Sequence, residues 1–334
     1  MADRKTVSMV TPCYNEADNV QPCAEAVRAL FAGPLAAYDY EHLFCDNAST
    51  DGTAAALRKI AQSDKHVKVV LNSRNFGPFR SMFNGLLATS GDAVVCMLPA
   101  DLQDPPEVIV DFVRHWQEGA EVVYGIRKNR DESWIMRKVR RAYYRLVSRL
   151  ADITIPENVG EFQLVDRKVV EALRRFDDYY PYLRGMIASC GFRAVGTQYV
   201  WRARARGRSK NRLYHLVDQG LNGLISFSNL PMRLSMLAGT AIAAASLLYA
   251  AIGLACTVVA KFVYGEPVAP AGIPTLIAAV FFFAGVQLFV LGVIGEYISA
   301  IHFQVRRRPL VIERERINFE PSEPGAKPAG EQGD

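Results

Sequence analysis

The sequence predicts an α/β fold whose mostly parallel sheet is followed by an amphipathic helix and two membrane-spanning helices. Short apolar runs alternate with helical segments through the first third of the chain, as in successive βαβ units. Each run ends in a polar loop, so several loops would meet at the carboxyl edge of one sheet, where open α/β sheets bind ligands. Two long uncharged apolar stretches precede the C-terminal tail.

Strands and helices follow one another regularly up to residue 98. Short apolar runs flanked by turn residues indicate the strands, and apolar positions that recur every three or four residues indicate the helices. Strands joined by such helices pair in parallel. The predicted order is strand 6–11, helix 20–31, strand 40–45, helix 53–63, strand 67–71, helix 78–89 and strand 93–98.

The loop after the fourth strand reads A-D-L-Q-D-P-P-E, from Ala100 to Glu107. It brings Asp101, Gln103 and Asp104 to the carboxyl edge of the sheet. Their side chains are oxygen donors of the kind that Mg²⁺ or Mn²⁺ takes when it also holds substrate phosphates. The two prolines that follow would start the next helix. The alternative is an acidic loop that only caps that helix.

The middle of the chain is less regular. Residues 213–230 have apolar side chains at the spacing of an amphipathic helix. We expect this helix at the membrane interface because a membrane segment follows it, and a core-facing helix is the alternative. The other predicted elements are a short strand over 121–124, a basic helix over 134–150, a loop over 159–164, a helix over 168–175 and a strand or hairpin over 192–201.

Two apolar stretches, residues 234–260 and 273–294, contain no charged residue. Each exceeds the roughly 20 residues that a helix needs to cross a bilayer. Arg233 precedes the first stretch and 306–308 is an arginine triplet after the second, whereas Lys261 is the single basic residue of the connector. The positive-inside rule therefore predicts a cytoplasmic N-terminal domain and a cytoplasmic tail.

These elements divide the chain into four predicted segments. The net charge is only +5, but basic residues cluster at 127–149, 202–212 and 306–308. Such clusters indicate phosphates, an anionic membrane surface or nucleic acid as partners. The segments are a cytoplasmic α/β domain over 1–212, a juxtamembrane amphipathic helix over 213–232, a two-helix transmembrane hairpin over 233–300, and a cytoplasmic basic segment with a disordered tail over 301–334.

Two function classes fit the sequence poorly. A dinucleotide-dependent dehydrogenase would carry G-x-G-x-x-G after the first strand, and the chain lacks that motif there. A transporter would carry ionisable residues inside its spans, and both apolar stretches are free of charge.

Short motifs occur in a fixed order along the chain. They are T-P-C-Y-N-E (11–16), D-N-A-S-T-D-G-T (46–53), S-R-N-F-G (73–77), A-D-L-Q-D-P-P-E (100–107), G-E-F-Q-L (160–164), R-G-R-S-K (206–210) and S-F-S-N-L-P-M-R (226–233). As a set, followed by two apolar stretches, they resemble the family-2 glycosyltransferases with a GT-A fold. Within that family the chain is similar to the polyprenyl-phosphate glycosyltransferases, which include dolichol-phosphate mannosyltransferases and bactoprenol glucosyltransferases.

The resemblance implies a GT-A, Rossmann-like domain that transfers a sugar, with inversion, from a nucleotide-sugar to polyprenyl (undecaprenyl) phosphate. A UDP-hexose is the expected donor and a GDP-sugar the next choice. The implied cofactor is Mg²⁺ or Mn²⁺, and the implied partners are the lipid phosphate, the membrane and further copies of the chain in a homo-oligomer, a tetramer by resemblance, with no nucleic acid. The enzyme would be a multi-pass protein of the inner (cytoplasmic) membrane that serves cell-envelope glycan or lipid modification.

The resemblance also assigns residues to the donor and the metal. A carboxylate at the nucleotide can accept a charge-assisted bond from a base N–H, and a metal that bridges the diphosphate stabilises the leaving group. The implied metal ligands are Asp101 and Gln103. The implied nucleotide-binding residues are Pro12, Tyr14, Glu16, Asp46 and Arg74.

A second implied set serves the acceptor. A phosphomonoester is largely dianionic near neutral pH, so its site needs positioning and charge screening more than a strong base. The implied catalytic carboxylates are Asp104 and Glu161. The basic and hydroxyl groups expected at the acceptor phosphate are Arg127, Arg130, Arg137, Arg204, Ser209 and Lys210.

The chain departs from the family pattern in four places. The loss of a carboxylate near the metal or the donor sugar is the departure that bears on activity. The alternative to an active enzyme is therefore a degenerate homologue that binds nucleotide or lipid phosphate without turnover. The four departures are Pro99 for the first Asp of D-x-D, Asn47 for a second Asp, Glu161 for an Asp, and Asn211 for an aromatic residue.

Overall fold

The computed structural model describes residues 4–128, 159–202, 273–306 and 308–319, with scattered positions between 235 and 263. The chain divides into two compact units. The first comprises Met1–Tyr144, Ile153–Arg212 and Arg308–Asp334, and the second comprises Arg145–Asp152 and Leu213–Arg307. The four segments predicted from the sequence stay a prediction.

The first unit contains a sheet of eight strands in the order β7-β5-β6-β4-β1-β2-β3-β8. The α/β class predicted from the alternation of strands and helices is confirmed. The elements of this unit are β1 (Thr6–Cys13), α1 (Ala17–Ala32), β2 (Asp39–Asp46), α2 (Thr53–Ser63), β3 (Val67–Asn72), α3 (Pro78–Ala88), β4 (Ala93–Val95), α4 (Val108–Gln117), β5 (Val122–Lys128), β6 (Val159–Asp166), α5 (Arg167–Leu173), α6 (Leu183–Ser189), β7 (Ala194–Val200) and β8 (Glu313–Ile317).

The pairing of the strands brings the site loops to one edge. Since helices connect the first four strands, β1 pairs in parallel with β2 and with β4, and β2 pairs in parallel with β3. Beyond β4 the direction changes, because β6 is antiparallel to both β4 and β5, while β7 is parallel to β5. The first residues of β6 therefore lie at the edge where β4 and β5 end.

β4 is shorter than the predicted strand 93–98. After Val95 the backbone leaves the regular ladder, although Cys96 N–H donates to the carbonyl of Gln163 and Leu98 N–H to that of Val10, both at 2.8 Å. Cys96 and Leu98 stay fully buried. An apolar run indicates that residues are buried, and loops next to a core can be buried as well as strands. The run therefore extends past the end of the strand.

The prediction of a loop over 159–164 is wrong, because these residues form β6. Gly160 and the polar Glu161 and Gln163 interrupt the apolar pattern and lower the local strand preference. Pairing with β4 on one side and β5 on the other supplies the missing stabilisation, and Phe162 and Leu164 are buried in the core. Tertiary pairing therefore outweighs local propensity here.

β8, a strand that follows the second unit in the chain, is absent from the predicted elements. It pairs antiparallel with β3 at the edge of the sheet. Glu313 accepts a hydrogen bond from Asn84 of α3 at 2.7 Å, and Glu315 accepts one from Arg58 of α2 at 2.6 Å. The charged sequence of β8 gave no strand signal, and short charged strands are typical of sheet edges.

In the second unit, α7 spans Ile273–Val305. Its segment Phe282–Ser299 has a mean hydropathy of 1.6, and within the described residues this is the one helix long and apolar enough to cross a membrane. It overlaps the second predicted span. The first predicted span, 234–260, lies largely outside the described residues, although the positions described there are helical. The helices predicted over 134–150 and 213–230 lie outside them as well.

Asn318, the residue that follows β8, is anchored by its side chain. Its side-chain amide donates to the carbonyls of Ala61 and Val67 at 2.6 and 2.8 Å, and its φ of 62° suits Asn or Gly. We expect Asn318→Ala to lower the free energy of unfolding by about 1–3 kcal/mol, measured by chemical denaturation. The control Asn318→Gly loses the amide but keeps a permissive backbone, so its effect should be smaller. If both variants lost the same unfolding free energy, the left-handed backbone at residue 318 would not contribute to the effect.

His42 makes the sheet sensitive to acid. The ring is fully buried in β2, its Nε2 lies 2.9 Å from Thr11 Oγ1, and burial lowers the pKa of His42 from 6.5 to about 3. Between these values the unfolded chain binds the proton and the folded protein does not. Stability therefore falls by up to about 1.4 kcal/mol per pH unit as the pH drops below 6.5.

We expect His42→Gln, which keeps a polar group beside Thr11 but cannot titrate, to lose less unfolding free energy than the wild type between pH 6.5 and 4. Denaturation curves of both proteins at several pH values measure the difference. Identical slopes would show that His42 is not the source of the acid sensitivity.

Candidate active site

The loops after β1 and β2 interlock at the carboxyl edge of the sheet. Asn15 N–H donates to Ser49 Oγ at 2.9 Å, and Thr50 N–H donates to Asn15 Oδ1 at 2.8 Å. Glu16 N–H donates to Thr53 Oγ1 at 2.9 Å. Asn15 has a φ of 56°, a conformation that Asn tolerates better than most residues. These bonds hold the two loops together as one surface.

Asp46 lies at the end of β2 and is 2% exposed. Its carboxylate accepts hydrogen bonds from the backbone N–H and the hydroxyl of Ser49. Burial raises the pKa of Asp46 above its ordinary value, and the bonds from Ser49 oppose the rise. Ala48 between them has a φ of 56°, a strained conformation that is often found at ligand sites. The loop thus holds one carboxylate in a single orientation.

Asn47 ties the end of β2 to the loop after β3. Its Oδ1 accepts from Asn72 Nδ2 at 3.1 Å and from Phe76 N–H at 3.4 Å, while its Nδ2 donates to the carbonyl of Gly77 at 3.4 Å. An amide can accept and donate at once, whereas a carboxylate can only accept. These contacts give a structural reason for Asn where the family pattern has Asp.

The predicted nucleotide-binding residues all lie at the carboxyl ends of three neighbouring strands. Arg74, in the loop after β3, is exposed, and its guanidinium carbon lies 4.0 Å from the centre of the Phe76 ring. The structure therefore brings the set to one edge, and their role as ligands stays a prediction. The set consists of Pro12 in β1, Tyr14 and Glu16 after β1, Asp46 at the end of β2, and Arg74.

The two predicted metal ligands lie in one tight turn after β4. Gln103 N–H donates to Asp101 Oδ1 at 3.3 Å, and Leu102 between them has a φ of 54°. Left-handed backbone at a Leu is uncommon and marks a loop held by its surroundings. Within the residues that the structure describes, no three His, Cys, Asp or Glu side chains form a group that could hold a metal by themselves.

Asp104 is buried and pairs with Arg127 of β5 in a bidentate ion pair. Arg127 Nε lies 3.2 Å from Asp104 Oδ1, and Nη2 lies 2.9 Å from Oδ2. Tyr199 of β7 donates its hydroxyl to Oδ1 and accepts from Arg127 Nε at 3.0 Å. Burial opposes the charged form of Arg127, but Asp104 and Tyr199 raise its pKa overall. One predicted catalytic residue and one predicted acceptor ligand thus contact each other.

Glu161, the other predicted catalytic residue, is 7% exposed in β6. Its Oε1 lies 2.8 Å from Nε of Arg184 in α6, and Arg184 Nη1 donates to the carbonyl of Val159 at 2.8 Å. Burial raises the pKa of Glu161, and the positive charge of Arg184 opposes the rise. Glu161 Oε2 makes no hydrogen bond with the part of the chain that the structure describes.

The structure places only part of the predicted acceptor set. The members that lie outside the described residues are Arg130, Arg137, Arg204, Ser209 and Lys210. Conversely, Arg184 and Tyr199 contact predicted site residues but are absent from the residues predicted from the sequence. No local signal marks them, because Tyr199 and its partner Asp104 are 95 positions apart in the chain and meet only when β7 pairs with β5.

The chain matches two family profiles. The profile described as Glycosyl transferase family 2 matches residues 8–174, and the profile described as GtrB C-terminal hairpin matches residues 230–301. The chain belongs to glycosyltransferase family 2. The first match runs from β1 through α5 and includes Asp46, Asp101 and Glu161. The predicted GT-A-like, Rossmann-like sheet and the predicted enzyme class, a glycosyltransferase, are confirmed.

Curated relatives match this glycosyltransferase over nearly its whole length. The SfII prophage-derived bactoprenol glucosyl transferase of Shigella flexneri is 34% identical over 92% of this chain and 96% of its own length. The uncharacterized glycosyltransferase YkcC of Bacillus subtilis is 33% identical over 94% of each chain. Among solved structures, the mannosyltransferase PcManGT from Pyrobaculum calidifontis, in complex with GDP-Man and Mn²⁺, is 18% identical with a TM-score of 0.47, covering 92% of this chain and 87% of its own.

The amide of Asn47 provides a test of the loop network. We expect Asn47→Asp to lower the free energy of unfolding by about 1–3 kcal/mol, because a buried carboxylate would face the carbonyl of Gly77 without a donor. Thermal unfolding measures the loss, and nucleotide titration should show weaker binding as the loop after β3 loosens. The matched control is Asn75→Asp, since Asn75 is exposed and its Oδ1 accepts from Gly77 N–H at 2.8 Å. An equal loss of unfolding free energy in both variants would contradict a specific role for the Asn47 amide.

Proposed function

We propose that this glycosyltransferase moves a hexose from a nucleotide-sugar, a UDP-hexose before a GDP-sugar, to polyprenyl (undecaprenyl) phosphate with inversion at the anomeric carbon. The observation that carries the proposal is that the candidate residues form two groups at the carboxyl edge of the sheet, one on each side of β4. The nucleotide candidates lie at the ends of β1, β2 and β3, whereas the ion-paired Arg127 of β5 and Glu161 of β6 lie on the other side of β4. Similarity over most of the chain to a bactoprenol glucosyl transferase supports a lipid phosphate as acceptor.

The donor side offers an oriented carboxylate and an exposed cation. Asp46 would accept from a base N–H, as a charge-assisted bond, and its bonds to Ser49 orient it before the ligand arrives. Preorganisation of this kind reduces the entropy lost on binding. Tyr14 and Glu16 would line the same pocket, and Arg74 would approach the phosphates.

Asp101 and Gln103 fit a divalent metal that arrives with the donor. Mg²⁺ in enzymes often takes one or two carboxylates and fills its other positions with water and substrate phosphates. One buried carboxylate and one amide are therefore sufficient when the diphosphate completes the coordination, even with Pro99 in place of an Asp. When bound, the metal would stabilise the negative charge of the departing nucleoside diphosphate.

The acceptor side would screen two anions that repel each other. The dianionic lipid phosphate is itself the nucleophile, so positioning matters more than proton removal. Arg127 would contribute a guanidinium held by Asp104, and Glu161 would orient the acceptor. The remaining proposed ligands of the acceptor phosphate are Arg130, Arg137, Arg204, Ser209 and Lys210.

The apolar C-terminal region would bring this site to the lipid. The apolar helix α7 and the match to the GtrB C-terminal hairpin support a two-helix hairpin over 233–300, preceded by an interfacial helix over 213–232. We place the catalytic domain (1–212) and the tail (301–334) on the cytoplasmic side of the inner membrane, with a homo-oligomer as the working assembly. Confining enzyme and acceptor to one membrane raises their effective concentration.

A transfer assay with the full-length protein in detergent tests the function. It combines undecaprenyl phosphate with radiolabelled UDP- and GDP-sugars, in Mg²⁺ or Mn²⁺ and in EDTA. Labelled lipid with one donor, abolished by EDTA, is the expected result. Nucleotide binding without product from any donor would instead indicate the degenerate homologue, and neither binding nor product would contradict the proposal.

Asp101 is the residue on which the metal depends. We expect Asp101→Asn to reduce transfer roughly a hundredfold or more, since metal stabilisation of the leaving group is worth several kcal/mol. The control is Asp111→Asn, which removes a partly exposed carboxylate of α4 that pairs with Arg114 at 2.9 Å. Wild-type transfer by Asp101→Asn would rule out this residue as a metal ligand.

A further inference from the structure

We propose that Asp104 and Tyr199 are positioning residues for Arg127, and that Gly160 leaves the space in which the Arg127 guanidinium lies. The inference rests on the proposed function, because Arg127 would contact the acceptor phosphate. It gives Asp104 a role other than proton transfer, and it adds Tyr199 and Gly160 to the acceptor side of the site.

The cluster joins three parts of the sheet. Asp104 belongs to the loop after β4, Arg127 to β5 and Tyr199 to β7. The Arg127 side chain is 19% exposed and that of Asp104 is 6% exposed. A bidentate pair fixes both the position and the plane of a guanidinium, and burial keeps water from competing for its bonds. Arg127 is therefore held in one orientation before any ligand binds.

Tyr199 completes the cluster from the far strand. Tyr199 is 5% exposed, and its ring packs edge-on against Phe162, with 5.6 Å between ring centres. A Cβ at Gly125 would lie 2.6 Å from this ring, so β5 leaves room for it. The hydroxyl is placed by that packing. Both carboxylate oxygens of Asp104 accept hydrogen bonds, Oδ1 from Tyr199 and Arg127 and Oδ2 from Arg127. A proton on either oxygen would compete with these donors and break the ion pair with Arg127.

Gly160 of β6 lies directly against the guanidinium of Arg127. A Cβ built at Gly160 would lie 3.1 Å from Nη2 and 3.3 Å from Cζ of Arg127, closer than ordinary van der Waals contact. An alanine there would displace the guanidinium without removing any charge or hydrogen-bonding group. Arg127 Nη1, with two N–H donors, takes no part in the bonds to Asp104 and Tyr199, and it is the part of the side chain that would meet a phosphate.

The test measures steady-state transfer by the full-length enzyme in detergent, with undecaprenyl phosphate varied at saturating donor and the donor varied at saturating lipid. We expect Tyr199→Phe and Gly160→Ala each to raise the KM for the lipid phosphate roughly tenfold, the factor for loss of one hydrogen bond to a charged group. The KM for the donor should stay unchanged. The control Tyr124→Phe removes a hydroxyl from β5 in the same sheet and should match the wild type.

Asp104→Asn separates positioning from proton transfer. A positioning role predicts a raised KM for the lipid and a kcat that keeps the wild-type pH profile. It also predicts that Asp104→Asn combined with Tyr199→Phe is no worse than the poorer single variant, since both act on Arg127. Loss of the acidic limb of the profile in Asp104→Asn would instead identify Asp104 as the base.

The outcomes distinguish this inference from the proposed function. A wild-type enzyme that transfers sugar, together with unchanged lipid KM values in Tyr199→Phe and Gly160→Ala, would overturn the inference alone. Absence of transfer by the wild type would overturn the proposed function. Nucleotide titration of each variant confirms that the donor side still folds.

Discussion

Parallel pairing of β1 with both β2 and β4 is the constraint on which the rest of the site depends. Parallel strands end at the same edge, and a crossover helix must separate each from the next. The loops after β1, β2 and β4 therefore meet, although long helices lie between them in the chain. β1 is buried on both faces, and its polar Ser8 and Thr11 bond to Glu41 and His42 of β2. A slip of one residue would break these buried pairs, because it would move each side chain to the opposite face of the sheet.

Because the loops meet at one edge, the buried polar groups there must find hydrogen-bond partners. Polar groups crowd the edge of a buried sheet, and each buried group that lacks a partner costs about 1–3 kcal/mol. Asp46, Asn47 and Asp104 are almost fully buried, and each is bonded to a neighbouring loop or strand. The bonds that meet this structural need also fix the orientation of the side chains. Stability and preorganisation for a ligand are here two results of the same contacts.

The first half of the fold could be predicted because its information is local. Helix 53–63 was predicted with the bounds of α2, and strand 67–71 differs from β3 by one residue. In contrast, polar residues interrupt the apolar pattern of β6 and make up most of β8, so both strands depend on pairing with their neighbours. Strand formation depends more on context than helix formation does. The candidate site divides in the same way. Its donor and metal residues follow predicted strands, whereas Arg184 of α6 and Tyr199 of β7 meet their partners only through tertiary packing and strand pairing.

Periodicity and short motifs depend on a few neighbouring positions, so the α/β class, the family, the apolar C-terminal region and the residue types at the strand ends all follow from the sequence. Which of those residues contact one another depends on the three-dimensional fold. In the fold, Asp104 contacts Arg127 and Tyr199. Glu161 forms an ion pair with Arg184, and Asn47 uses its amide both to accept and to donate hydrogen bonds. A hydrogen bond or an ion pair depends on the distance and direction between two groups. Tyr199 and Asp104 are 95 positions apart in the chain, so they reach bonding distance only once the strands have paired.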